Sequence, residues 1–168
     1  LQVIAALAPA ARIRVYAAPN TSAGKVAALR AVLDDGCDVV SISFGARERG
    51  VNPASVSQLE RLLQRAALQG ATVCCASGDS GYLQYPATSP WATACGGSSL
   101  HDGDGRPVDE RVWNEAVPVP EARLMVSSGG VSELFHAPDW QAPAAVLTKT
   151  GVAMRGVPDV AAKADLVG

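Results

Sequence analysis

A chain of 168 residues is long enough for one domain with a true core. At 48% hydrophobic and 18% charged residues it is not a disordered chain. Its net charge of -2, with scattered basic residues, gives no electrostatic footprint for nucleic acid or an anionic membrane, and no apolar run approaches the roughly 20 residues of a spanning helix.

The opening "LQVIAALAPAA" has neither an initiator Met nor a basic region, and reads as a segment that begins in mid-domain rather than as a signal peptide. "RIRVYAA", residues 12–18, alternates and then turns apolar, which predicts a strand. Thr21 or Ser22 can cap the helix that follows, with Val26, Leu29, Val32 and Leu33 on one face and Gly36 at its end. "DVVSISFG", residues 38–45, is a β-branched run closed by glycine, again a strand. Asn52 before Pro53 makes an N-cap and first-turn pair for a second helix. Val56, Leu59, Leu63 and Ala66 form its apolar stripe, and Gly70 stops it. "ATVCCAS", residues 71–77, is a continuous apolar strand expected to be buried on both faces. A short strand is expected at 92–95, a hairpin turn at "HDGDGRPV", and a glycine-rich connection into a short element at "SSGGVSELF".

Four cysteines, Cys37, Cys74, Cys75 and Cys95, show no CxxC spacing, which argues against a zinc or thioredoxin-type site. They read as free thiols used as small hydrophobes, with a Cys75–Cys95 disulfide as the open alternative. Trp91, Trp113 and Trp140 are spread along the chain and read as packing residues, and Asp102 and Asp104 as turn residues without the further oxygens of a calcium loop.

Strand, helix, strand, helix, strand implies an α/β fold with a parallel sheet, in which functional groups gather beyond the carboxyl ends of the strands. Two segments stand there: "SISFGA" and "ASGDSG". The tetrapeptide GDSG surrounds the nucleophile of trypsin-like proteases, yet Ser80 lacks the partners that activation requires. Both histidines, His101 and His136, follow it in the chain, and the helical pattern contradicts a double β-barrel. A nucleophile elbow would need glycine at position 82, where Tyr82 stands.

The blocks "ALAPAARIRVYAAPN" (6–20), "VVSISFG" (39–45), "ALQGATVCCASGDSG" (67–81), "YPATSPWATACGG" (85–97), "VWNE" (112–115), "SGGVSELFHAPDWQ" (128–141) and "RGVPDVAAKAD" (155–165) resemble, in order, those of the sedolisins, or serine-carboxyl peptidases. The resemblance covers nearly the whole chain and implies a subtilisin-like parallel sheet flanked by helices, incomplete here, with residues 1–168 as the central fragment of a single catalytic domain. It implies a serine-type endopeptidase acting at acidic pH on peptide or protein substrates, with its own propeptide as a further partner, secreted or in an acidic compartment, and with neither nucleic acid nor membrane as partner. The family's Glu/Asp pair would precede Leu1 and its Gly-Thr-Ser nucleophile would follow Gly168. The chain has no such tripeptide, so it is expected to be inactive alone. Calcium is expected for the intact domain, with its ligands outside this chain.

By the same resemblance Asp79 takes the place of the oxyanion-hole aspartate, where subtilisins carry asparagine. A carboxylate beside an oxyanion would repel it, so the group must be protonated. An acidic pH near the Asp reference value of about 3.9 allows this, and partial desolvation would favour it further. Ser43, Phe44 and Gly45 resemble the segment that pairs with substrate backbone, Gly45 leaving room for close approach; many members have Trp where Phe44 stands. Ala76, Ser77 and Gly78 form one wall of the specificity pocket on this reading, and the connection from Gly81 to Pro86 is short for the family. The alternatives are an ordinary subtilisin-like serine protease, against which Asp79 argues, and a non-catalytic peptide-binding relative.

Overall fold

The computed structural model describes residues 2–103, 106–117, 123–144, 146–147 and 151–164. Helix α1 (Gln2–Leu7) is exposed throughout. Helix α2 (Ser22–Asp34) starts as expected at Thr21, whose Oγ1 accepts from Gly24 N at 3.0 Å. Strand β1 (Val39–Ile42) and the short β2 (Ala46–Arg47) lead to α3 (Pro53–Leu68), capped by Asn52 Oδ1 accepting from Ala54 N at 2.8 Å. Gly70, at φ +76°, ends that helix in a conformation that favours glycine. Strands β3 (Thr72–Ala76), β4 (Gln84–Tyr85), β5 (Thr93–Gly103), β6 (Arg106–Val112), β7 (Asn114–Val117), β8 (Arg123–Val126) and β9 (Gly130–His136) follow. A 3-10 turn (Asp139–Ala144), β10 (Val146–Leu147), β11 (Ala153–Val157) and β12 (Val160–Lys163) complete the described part.

The main sheet runs β1-β3-β5-β12, all parallel, and β6 adds to the far half of β5 antiparallel. The strand expected at 92–95 is thus the start of a long one that crosses the sheet and then turns back as a hairpin. The hairpin's own turn, with Asp104, lies outside the described residues.

The core lies on one face of this sheet. Val26, Leu29, Val32 and Leu33 of α2 and Leu62, Leu63 and Ala66 of α3 meet Val40, Ile42, Val73, Cys75 and Ala94 of the strands. The predicted apolar faces therefore hold, with Leu62 added to α3, while Leu59 and Val56 are half-buried at the margin. Burying a side chain such as Leu33 or Leu63 contributes about 1.5–3 kcal/mol.

Two expectations fail. Residues 12–18 are not a strand: among the described residues no backbone ladder reaches them, and they are held through side chains, with Tyr16 Oη donating to Asp35 Oδ2 at 2.6 Å and Arg14 paired with Asp35 at 3.1 Å. Alternation makes a strand only where a neighbouring strand offers hydrogen bonds. Strand β3 is not buried on both faces either. Val73 and Cys75 enter the core, whereas Cys74 and Ala76 remain half-buried, because the packed helices α2 and α3 cover the other face.

Candidate active site

Parallel pairing brings the carboxyl ends of β1 and β3 side by side. Val40 stands opposite Val73 and Ile42 opposite Cys75, so residues 43–45 and 76–79 leave the sheet as neighbours. Ser43 and Phe44 are exposed, and Lys25 Nζ lies 5.0 Å from the centre of the Phe44 ring. On the β3 side Ala76 is half-buried. Ser77 is fully buried, its N–H donating to Cys95 O at 2.8 Å and its hydroxyl without a partner among the described residues.

Gln84 of the same chain borders the space between these ends. A β-carbon on Gly45 would stand 2.7 Å from Gln84 Oε1 and 3.0 Å from Tyr85 O. A β-carbon on Gly78, at φ +114°, would stand 2.6 Å from Gln84 Cδ and Nε2 and 2.8 Å from Ser128 Oγ. One close neighbour of Gly45 is β4 of the same chain, which pairs antiparallel with β2. Gln84 escapes sequence reasoning because an isolated glutamine carries no motif. The one signal was the short connection from Gly81 to Pro86, which brings residue 84 back against the strand ends.

Asp79 follows at the end of β3 and is exposed. Among the described residues its carboxylate takes no hydrogen bond, while its backbone carbonyl accepts from Val126 N at 3.2 Å. The GDSG segment is pinned by residues 126–128, at and just after the end of β8. Ser128 N donates to Gly78 O at 2.9 Å, Ser80 N donates to Ser128 Oγ at 3.3 Å, and Ser127 Oγ accepts from Gly97 N at 2.9 Å. Ser80 Oγ accepts from Gln84 Nε2 at 3.4 Å.

Two buried charged groups outside this cleft hold its supports. Glu48 is 3% exposed and accepts from Ser132 Oγ at 2.6 Å and Glu133 N at 2.9 Å, tying the turn after β2 to β9. Arg155, fully buried, pairs with Asp159 at 2.7 and 2.5 Å and stacks over Trp140, while Asp159 also accepts from Ala94 N at 2.7 Å. Trp140 is exposed, as is Trp91, and Trp113 is buried. All four cysteines are free thiols; Cys75 points into the core, and the half-buried Cys74 and Cys95 lie on the opposite face, which removes the Cys75–Cys95 disulfide. Among the described residues no group of three or more His, Cys, Asp or Glu side chains could hold a metal ion. No helix among them is long and apolar enough to cross a membrane.

Residues 3–165 match the profile of the subtilase family. The chain is 40% identical over 181 residues to kumamolisin of Bacillus sp. (strain MN-32), an alignment covering 98% of this chain and 32% of that protein. It is 28% identical over 153 residues to tripeptidyl-peptidase 1 of Homo sapiens, covering 76% of this chain and 24% of that protein. Among solved structures, a Pseudomonas sedolisin (serine-carboxyl proteinase) complexed with two molecules of pseudo-iodotyrostatin superposes with a TM-score of 0.75 at 28% identity, over 86% of this chain and 43% of the other. The chain thus spans less than half the length of each of these relatives.

Proposed function

Because the chain belongs to the subtilase family, in its sedolisin branch, we propose that residues 1–168 are the central part of one serine-carboxyl peptidase catalytic domain that hydrolyses peptide bonds at acidic pH. The observation that carries this is the shared border of the two strand ends: the Gln84 side chain touches both Gly45 and Gly78, so residues 43–45 and 76–79 line one space. On this reading substrate backbone pairs along Ser43, Phe44 and Gly45, and Ala76, Ser77, Gly78 and Gln84 bound the pocket for its side chain. Asp79 stands beside the scissile carbonyl.

The nucleophilic serine and its carboxyl base come from the polypeptide outside residues 1–168, so this stretch by itself forms no acyl-enzyme. As the serine oxygen adds to the carbonyl carbon, with its proton passing to the glutamate base, negative charge collects on the carbonyl oxygen. A protonated Asp79 donates a hydrogen bond to that oxygen, whereas an ionised one repels it. The natural partners are peptide or protein substrates and the enzyme's own propeptide, in a secreted or acidic setting.

The test is a kcat profile from acid to neutral pH on the complete gene product. Asp79→Ala removes the donor at every pH and lowers kcat by roughly 10²- to 10³-fold. Asp79→Asn keeps an uncharged donor and extends activity to higher pH, up to the limit set by the coupled carboxyl pair. Wild-type kcat for Asp79→Ala at the acid optimum would reduce Asp79 to a turn residue.

A further inference from the structure

The Gln84 side chain approaches both strand ends that border the cleft. A β-carbon on Gly45 would meet Gln84 Oε1 at 2.7 Å and Gln84 Cβ at 3.1 Å, and one on Gly78 would meet Gln84 Cδ and Nε2 at 2.6 Å. The side chain therefore lies against both glycines, from its first carbon to its carboxamide.

The backbone of Gln84 is held from both sides. Glu48 N donates to Leu83 O at 2.9 Å, and in the ladder of β2 with β4 Arg47 stands opposite Gln84 and Ala46 opposite Tyr85. Tyr85 is 3% exposed, and its hydroxyl donates to Glu60 Oε1 at 3.0 Å. Tyr82 and Leu83 are the whole link from Gly81 to Gln84, which leaves the glutamine little freedom to withdraw. Nε2 donates to Ser80 Oγ at 3.4 Å, which turns the carboxamide toward the segment that carries Asp79.

We propose that Gln84 limits the depth of the specificity pocket, so that the complete enzyme cleaves after residues with small side chains, Gly, Ala or Ser. The inference rests on the reading that residues 43–45 and 76–79 form the substrate cleft, and adds to it the class of side chain admitted. On that reading the residue donating the scissile carbonyl lies beside Asp79, and its side chain enters between Gly45 and Gly78, where it meets the carboxamide. Two glycines leave room for a methyl or hydroxymethyl group. A leucine or phenylalanine side chain would need the space of the carboxamide itself. It would also cut that polar group off from water and from Ser80 while offering it no hydrogen bond. Selection of this kind works by penalising the wrong side chain.

The experiment measures kcat/KM at acidic pH for the complete gene product on a peptide series that varies only the residue donating the scissile carbonyl, with the cleaved bond identified by mass. The Ala and Ser peptides should exceed the Leu and Phe peptides by about tenfold or more. Gln84→Ala opens the pocket and should raise the Leu-to-Ala ratio by about tenfold, whereas Gln84→Glu, uncharged at acid pH and of the same size, should keep the wild-type ratio. A wild-type preference for Leu or Phe, or an unchanged ratio in folded Gln84→Ala, would overturn the proposal. So would a preference for Gln or Glu peptides, whose polar ends would bond the carboxamide. If Gln84→Ala does not fold, the wild-type order and Gln84→Glu decide. Ratios within one enzyme are unmoved by a uniform loss of activity, so a merely structural role for Gln84 leaves them alone. Hydrolysis with the wrong preference overturns this inference only, whereas no hydrolysis of any peptide overturns the peptidase reading and this inference with it.

Discussion

The Gln84 carboxamide lies against the α-carbon of Gly78, where a β-carbon would stand 2.6 Å from Gln84 Cδ. The two residues are on different elements, yet each is shaped by the other. Gly78 accepts φ +114°, which L side chains rarely adopt, and the vacancy left by its missing side chain is the space the glutamine fills.

Gly78→Ala in the complete protein should therefore lose about 1–3 kcal/mol from backbone strain, with a further steric loss against Gln84 and Ser128. Adding Gln84→Gly should recover only the steric share contributed by Gln84. Urea denaturation of the two single variants and the double variant separates these shares. Strict additivity would show that the two residues do not touch in solution.

Glu60 on α3 predicts an acid-favoured stability. Burial raises its carboxyl above the ordinary value, against the opposing pull of hydrogen bonds from Ser89 Oγ at 3.2 Å and Tyr85 Oη at 3.0 Å. A raised folded value means that the folded state binds more protons than the unfolded one. Its contribution is full below the unfolded carboxylate range, near 4.3, and is lost as pH rises through the raised folded value. Glu60→Gln should flatten this decline in the unfolding free energy between pH 4 and 7. Parallel pH curves for wild type and variant would place Glu60 in water.

Arg155 and Asp159 form an ion pair whose arginine is fully buried and 4.9 Å from the Trp140 ring. Removing one partner leaves the other charged and uncompensated. Arg155→Met should cost about 3–5 kcal/mol, and the paired replacement Arg155→Met with Asp159→Asn should cost less than Arg155→Met alone. Chemical denaturation of the complete protein provides the comparison. A cost for the pair equal to or above that of Arg155→Met would deny the coupling.

Cys75 is 1% exposed, and burial pushes its thiol up to about 12. It should resist alkylation in the native protein at pH 8, where a free thiol near 8.5 reacts readily, while Cys74 on the open face of β3 reacts first. Peptide mapping after a brief iodoacetamide pulse distinguishes the two adjacent residues. Equal labelling would mean that β3 does not alternate as described.

Local elements were legible in the sequence because their causes are local. Thr21 and Asn52 cap the helices they precede, Gly70 ends α3, and the stripe from Val26 to Leu33 is buried as its spacing requires. The order of short blocks identified the family, and the position of Asp79 after an apolar strand marked the candidate site. The tertiary structure decided what depends on neighbours distant in the chain. Residues 12–18 have the alternation of a strand but no ladder, since hydrogen-bond partners lie outside their own pattern. One face of β3 is open because both packed helices lie on the other. The placing of Gln84 at the cleft rests on a return through β4 that brings one unmarked side chain between two glycines belonging to different strand ends. Composition and periodicity record what each segment can do alone, whereas only the folded chain determines which space each side chain is left to occupy.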